Sequence, residues 1–291
     1  MKLTMIVIVF LVLAMCGSCA TKAPKPTVAA TITPGSQTPA VPETPPDDVC
    51  IPWLQRIGTT RYRWDCKDLY AKHLPAKKVG LFALAAKRYK SSFEGEGGSC
   101  SVSTYFTPVA VVGDLVGYEF ESGVYCGTVQ GEWWYTTVDV AKPTKPLDLR
   151  TFFTDDQILR AFLADPQLSS DIQRSVAEHK LPAVPTTLRD LSRFLTKFDY
   201  QIYNGESYFE ADYLTRFVFH HLDGDTIYIR VSATSTSTAG RAIHQYAEIG
   251  LPIPDRLRDA LRKANAREEG FLMNNSVTKL GTKPATFEAR F

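Results

Sequence analysis

The chain has 291 residues, of which 44% are hydrophobic and 22% are charged, with a formal net charge of +2 at pH 7. These proportions are typical of a globular protein with one large or two small domains. The near-neutral balance gives no support for a nucleic-acid-binding protein, so we expect no nucleic-acid partner.

The N-terminal segment resembles an export signal. Lys2 precedes an apolar run, residues 3–15, that is shorter than the roughly 20 residues of a membrane-spanning helix. The run ends in "LAMCGSCA" (13–20), which resembles the lipobox of bacterial lipoproteins. In those proteins a cysteine after small residues receives diacylglycerol and becomes the mature N-terminus. We therefore expect a lipoprotein signal peptide over residues 1–19.

Two cysteines could carry the lipid. We favour Cys19 because small residues directly precede it, whereas the alternative, Cys16, follows the bulky Met15. A further alternative is an ordinary signal peptide that is cleaved after Ala20 and releases a soluble exported protein. Neither cysteine is followed by Asp, which by resemblance to bacterial sorting rules points to the outer membrane in a cell that has one. The expected location is the cell envelope, lipid-anchored, with the folded part in the periplasm.

The folded part is expected to begin near Val49. Residues 20–48 are rich in proline and threonine and contain no aromatic residue, so they predict a disordered linker. Beyond it, the patterns predict an α+β fold in which antiparallel sheets pack with helices. We expect a β-rich subdomain over residues 49–141, an α/β domain over 142–270 and a tail over 271–291.

Four cysteines fall in this folded part: Cys50, Cys66, Cys100 and Cys126. An even number of cysteines in an oxidising compartment predicts disulfides, and four allow three pairings. We favour Cys50–Cys66, which would close the entry of the domain, and Cys100–Cys126, which would join two β segments. Metal binding is the alternative, but these four cysteines show no CxxC spacing.

Residues 55–90 are strongly basic, with ten Lys or Arg against Asp65 and Asp68. A solvated surface is the simplest interpretation. The alternative is a patch for an anionic partner such as a cell-wall polymer or lipid headgroups. The candidate contacts are Arg61, Arg63, Lys77 and Lys78. Within this region, "KKVGLFALAAKRY" (77–89) suits either a buried strand or a short helix.

The next region predicts antiparallel strands over 101–112, 115–126 and 132–140, because aromatic and β-branched residues fill them and glycine punctuates them. Trp133 and Trp134 are adjacent on the third strand and must point to opposite faces. One should enter the core, and the other should lie on an outer face. Both are therefore candidates for a binding surface.

Helices follow. Thr154 and Gln157 form a capping-box pattern at the start of a helix whose apolar face includes Phe162. Further helices are predicted after Asp165-Pro166, at Thr187 and from Pro254. Asp223-Gly224, between two alternating runs, predicts a β-hairpin, and residues 246–254 predict a last strand.

Three segments together resemble a known family: "LVGYEFESGVYCGTVQGEWWYTTVDVAKPTKPLDLRTFFTDDQILRAFL" (115–163), "FVFHHLDGDTIYIRV" (217–231) and "YAEIGLPIPDRLRDAL" (246–261). They are similar to the extracytoplasmic domains of RsiV-type anti-sigma factors, which also occur beside some peptidoglycan deacetylase domains and in bacterial lipoproteins. The similarity covers about residues 100–265. It implies a non-catalytic binding domain whose partner is lysozyme or a component of the cell wall.

No catalytic motif is present. GxSxG, GxxxxGK[ST], HExxH, an EF-hand loop and the metal signature of polysaccharide deacetylases are all absent from the sequence. His220 and His221 are adjacent in a predicted strand, where they would point to opposite faces and could not easily ligate one ion. We therefore expect no enzyme, no cofactor and no metal. The alternative is an accessory or catalytic domain acting on peptidoglycan, as a hydrolase or deacetylase.

Overall fold

The computed structural model describes residues 52–73, 78–93, 101–125, 129–197, 202, 207–235, 245–276 and 285–290. The chain divides into two units, Met1–Thr44 and Pro45–Phe291, and every described residue belongs to the second. The predicted signal peptide, the whole linker and every cysteine except Cys66 lie outside the described residues, so lipidation and disulfide pairing stay predictions. In the described part, no helix is long and apolar enough to cross a membrane.

The fold is α+β, as predicted, and its sheets are antiparallel. The strands are β1 Trp53–Ile57, β2 Thr60–Trp64, β3 Leu69–His73, β4 Val79–Gly80, β5 Ser101–Val112, β6 Leu115–Tyr125, β7 Val129–Asp139, β8 Ser207–Tyr208, β9 Phe217–Asp223, β10 Thr226–Ser232, β11 Thr234–Ser235, β12 Tyr246–Pro252 and β13 Ala285–Arg290. The helices are α1 Leu81–Phe93, α2 Asp155–Ala164, α3 Pro166–Ala177, α4 Leu188–Leu195 and α5 Arg258–Asn265. The sheet orders are β1-β2-β3-β4, β13-β5-β6-β7, β12-β10-β9 and β11-β8.

The central sheet of β5, β6 and β7 is covered on both faces. One face packs Tyr118 and Phe120 against the interior of the β1–β4 sheet, where Tyr62 and Trp64 are buried. The other face packs Trp133 and its neighbours against Val218 of β9. Strands β5 and β6 therefore form an inner layer of the fold.

The largest core cluster lies between the sheet of β9, β10 and β12 and helices α2 to α4. Ile227, Ile229 and Val231 alternate along β10 and pack with Phe162 of α2 and Leu191 of α4. This alternation confirms the hairpin that Asp223-Gly224 predicts. The burial of one face of each helix and of the sheet provides the main apolar area of this part of the molecule.

The helix starts are set by local chemistry. The Thr154 amide donates to Gln157 Oε1 at 2.9 Å while Thr154 Oγ1 accepts from the Gln157 amide at 3.3 Å, which confirms the predicted capping box. Asp165 caps α3, which has Pro166 at its first position, and Thr187 caps α4. The helix predicted from Pro254 begins instead as a 3-10 turn, Asp255–Leu257, and becomes α-helical at Arg258.

Segment 77–89, whose pattern suits either a strand or a helix, contains both. Val79–Gly80 is a strand, and the helix α1 starts at Leu81. The buried carboxylate of Asp68 accepts hydrogen bonds from the first free amides of α1, those of Phe82 at 2.7 Å and Ala83 at 3.4 Å. A side chain from the preceding hairpin therefore decides where this helix begins.

Asp68→Asn is expected to change how stability depends on pH. Burial, the largest influence, raises the pKa of Asp68, although the amide hydrogen bonds oppose it. Because the folded-state pKa is above the unfolded one, the contribution of Asp68 is most favourable below the unfolded pKa and is lost as pH rises through the folded pKa. The amide of Asn does not titrate and can still accept from Phe82, so the stability of the variant relative to the parent should increase between pH 4 and pH 7.

Urea denaturation at several pH values measures this difference, and each pKa unit corresponds to about 1.4 kcal/mol. Asp259→Asn, at an exposed position of α5, is the matched control and should show no comparable trend. A relative stability of Asp68→Asn that stays constant or falls as pH rises would show that the buried carboxyl carries no such penalty.

Candidate functional site

The β1–β4 sheet carries its charges on one side. Along β1, β2 and β3, buried residues alternate with exposed ones, because each strand packs one face on the core. The exposed cations are Arg56, Arg61, Arg63 and Lys72, and Lys78 lies beside β4. We call these five residues the basic face.

Strand pairing places like charges directly opposite one another on the basic face. Arg61 is the register partner of Arg56 on one side and of Lys72 on the other. Residues paired in this way have Cβ atoms about 4.5–5.5 Å apart, and like charges at that distance destabilise a sheet. Among the described residues, no acidic side chain forms an ion pair with any cation of the basic face.

Apolar groups accompany these cations. Arg63 has Leu54 as its register partner on β1 and Tyr70 as its register partner on β3. The side chain of Leu54 is 70% exposed. The ammonium of Lys78 lies 3.5 Å from the centroid of the Tyr70 ring. The surface therefore combines positive charge with aliphatic and aromatic contact area, a combination suited to a ligand that has anionic groups on a carbon framework.

The structure brings together three of the residues proposed from the sequence, Arg61, Arg63 and Lys78, while Lys77 lies outside the described residues. Sequence reasoning missed Arg56 and Lys72. A signal for Arg56 was present, because residues 54–64 have alternating exposed positions on both sides of the turn at Gly58, which has a φ of 54°.

The two tryptophans lie elsewhere. Trp133 and Trp134 do pack into different clusters on opposite faces of β7, as predicted. However, Trp133 is only 7% exposed and meets Tyr135 edge-on at 5.0 Å, so it is not part of an exposed binding surface. Trp134 is half-buried, 5.1 Å from the Phe120 ring. Trp133 is therefore the one that enters the core, while a binding role of the half-buried Trp134 stays a prediction.

A second cluster contains His220, His221 and Glu248. Pairing between β9 and β10 joins Tyr228 to His221 but Ile229 to Phe219, so His220 is an extra residue, a β-bulge. Phe219 and Leu222 pack against the large core cluster, whereas the ligand atoms of both histidines and of Glu248 lie within 4.8 Å of one another. The prediction that the two imidazoles point to opposite faces is therefore wrong.

Distances within this cluster are short. The Nδ1 atoms of His220 and His221 are 2.6 Å apart and share a hydrogen bond, and His220 Nδ1 lies 3.2 Å from Glu248 Oε2. His220 is 9% exposed, and the other two residues are half-buried. The cluster therefore has a buried end and an end that solvent reaches.

Neighbouring side chains hold the cluster in position. The ring of His221 stacks on Tyr228 with centroids 4.5 Å apart and planes 4° apart. Arg230 Nε donates to Glu248 Oε2 at 2.8 Å, and its guanidinium lies 4.1 Å from the Tyr246 ring centroid. Burial acts to lower the pKa of Arg230, but Glu248 and its other neighbours outweigh burial and raise it, so Arg230 stays charged.

A groove of about 420 Å³ lies between the segment after α3 and helix α4. Its walls include Leu181 and Val184, and the Arg193–Asp190 ion pair, at 3.6 Å, lies at its margin. None of the residues that the sequence proposed as binding contacts lines this groove.

Comparison with known proteins adds no assignment to these surfaces. No protein-family model matches the chain, and no curated protein matches it. The similarity to RsiV-type domains therefore depends on the three sequence segments alone.

Proposed function

We propose that this protein is a lipid-anchored component of the bacterial cell envelope whose folded part binds an anionic cell-wall polymer through the basic face, without catalysis. The observation that carries the proposal is the row Arg56, Arg61 and Lys72, in which neighbouring strands place cations opposite one another with no acidic partner among the described residues. Such a row costs stability in the free protein. An anionic ligand would remove that cost.

The shape and chemistry of the basic face favour a polymer over a small molecule. The cations lie on the exposed side of a short sheet, so an extended ligand could contact several of them together. Guanidinium groups bind carboxylates and phosphates through two parallel hydrogen bonds. Leu54 and Tyr70 would contact the carbon framework between the anionic groups.

The anchor in this proposal comes from the sequence. A lipid on Cys19, or on Cys16 as the alternative, would attach the chain to the membrane. The Pro- and Thr-rich linker 20–48 would then hold the folded part at a distance from the lipid surface, where a wall polymer is within reach. This arrangement would position the basic face in the space between membrane and wall.

The test is co-sedimentation of the purified full chain with insoluble peptidoglycan, whose peptide carboxylates are anionic. The parent protein should bind, and binding should weaken as salt rises, because exposed charges are screened. The double variant Arg61→Gln with Arg63→Gln should bind at least about tenfold more weakly, since it loses two charge-assisted contacts.

The matched control is Arg189→Gln with Arg193→Gln, which removes the same charge from the exposed side of α4. This control should bind within about twofold of the parent, because screening limits the effect of charges outside the contact. Absence of parent binding at low salt, or equal loss in both double variants, would refute a specific role of the basic face.

A column of immobilised lysozyme tests the partner that the sequence similarity implies. Retention there and not on peptidoglycan would favour lysozyme instead.

A further inference from the structure

We infer that His220, His221 and Glu248 form a binding site for one divalent transition-metal ion of the zinc class. This site is separate from the basic face, and the inference does not depend on the proposed function. It starts from the β-bulge, which turns two consecutive imidazoles to one side of the sheet and brings both within reach of Glu248.

The three ligands suit zinc. Imidazole nitrogen and carboxylate oxygen bind Zn²⁺ at about 2.0–2.2 Å, and two nitrogens plus one carboxylate leave a position for water or another ligand in a tetrahedral site. Harder ions such as Mg²⁺ and Ca²⁺ prefer sites made only of oxygen atoms. The site therefore selects Zn²⁺ and similar ions.

The distances between the ligand atoms need only a small adjustment to hold an ion. Bonds of about 2.0–2.1 Å at tetrahedral angles place two ligand nitrogens about 3.3 Å apart. His220 Nδ1 is already 3.2 Å from Glu248 Oε2, whereas the two Nδ1 atoms are 2.6 Å apart and share a proton. Metal binding replaces this shared proton and separates the imidazoles by a fraction of an ångström.

The surroundings support the ligands in the way that metal sites require. Tyr228 stacks on His221 and fixes the plane of its ring, and Arg230 holds Glu248 by a hydrogen bond. Gly250 leaves room for the Tyr228 ring in its observed position, because a Cβ at residue 250 would be only 3.3 Å from that ring. Arg230 occupies one lone pair of Glu248 Oε2, and the carboxylate keeps further lone pairs for the ion.

The experiment titrates Zn²⁺ into the purified full chain, with its thiols blocked by alkylation so that cysteines cannot bind the metal, and measures heat by calorimetry. We expect one equivalent to bind. His221→Gln and Glu248→Gln, both at half-buried positions, should each weaken binding at least about tenfold, because each removes one of three ligands. Co²⁺ in place of Zn²⁺ should give the strong visible absorption of a tetrahedral site.

His179→Asn is the matched control, since His179 is exposed, far along the chain from the cluster and has a φ of 59°, which Asn adopts readily. It should bind Zn²⁺ as the parent does. Melting of each variant in metal-free buffer confirms that the fold is kept. Failure of the parent to bind Zn²⁺, or parent-like binding by both ligand variants, would overturn the inference.

Discussion

Phe162→Ala is expected to lower the free energy of unfolding by about 3–5 kcal/mol, the usual loss when a large aromatic side chain is deleted from a core. Phe162 is fully buried on α2, and its ring meets Phe209 edge-on at 5.9 Å and Tyr213 at 5.7 Å. The substitution leaves a cavity between the helices and the β10 sheet that neighbouring rings cannot fill without leaving their own contacts.

Urea denaturation followed by circular dichroism measures the effect. Arg160→Ala, at an exposed position on the same helix, is the control and should change stability by no more than about 0.5 kcal/mol. If Phe162→Ala loses less than about 1 kcal/mol, the region around α2 is able to collapse onto the cavity, and the packing described for this cluster is wrong.

Phe162 also shows what the sequence predicts well. Its position follows from a capping box at Thr154 and from a helical spacing of apolar residues, both of which are local signals. The hairpin at Asp223-Gly224 is local in the same sense, because the turn residues and the alternation on either side lie within a few positions. Local signals of this kind place the helices and strands and give the α+β class.

The basic face is harder to predict because it depends on register. The number of cations in residues 55–90 is visible in the sequence, but their effect depends on whether neighbours across strands are cations or acids. The pairing of Arg61 with both Arg56 and Lys72 is set by the short turn at Gly58 and by the burial of Tyr62 and Trp64. A slip of one residue would send these charges into the core.

The histidine cluster could not be predicted for a related reason. Strict alternation along β9 puts His220 and His221 on opposite faces, and nothing in the neighbouring sequence marks the extra residue of the β-bulge. The bulge is decided by the partners on β10, where Tyr228 and Ile229 pair with residues two positions apart. Glu248 reaches the site from β12, on the far side of β10. The cluster is therefore a property of three strands together.

A large effect of a single added methyl group is expected at Gly270. The segment predicted as a tail, 271–291, begins inside the fold, where Phe271 is buried and pairs with Val111 through hydrogen bonds of 2.8 and 3.0 Å. The Gly270 amide also donates to Gln55 Oε1 of β1 at 2.7 Å, so this turn joins the sheet that carries the basic face to the central sheet.

Gly270→Ala should therefore lower the free energy of unfolding by about 3 kcal/mol or more. Gly270 has a φ of 83°, and this left-handed backbone costs an alanine about 1–2 kcal/mol. In addition, the new Cβ would lie 2.0 Å from the carbonyl oxygen of Val111, a clash that only separation of the paired segments can relieve.

Gly224→Ala is the matched control, because its φ of 55° carries the same backbone cost while no atom lies within 4 Å of its Cβ. Urea denaturation of the two variants isolates the steric contribution, and equal losses would show that the contact between Gly270 and Val111 is not as close as described.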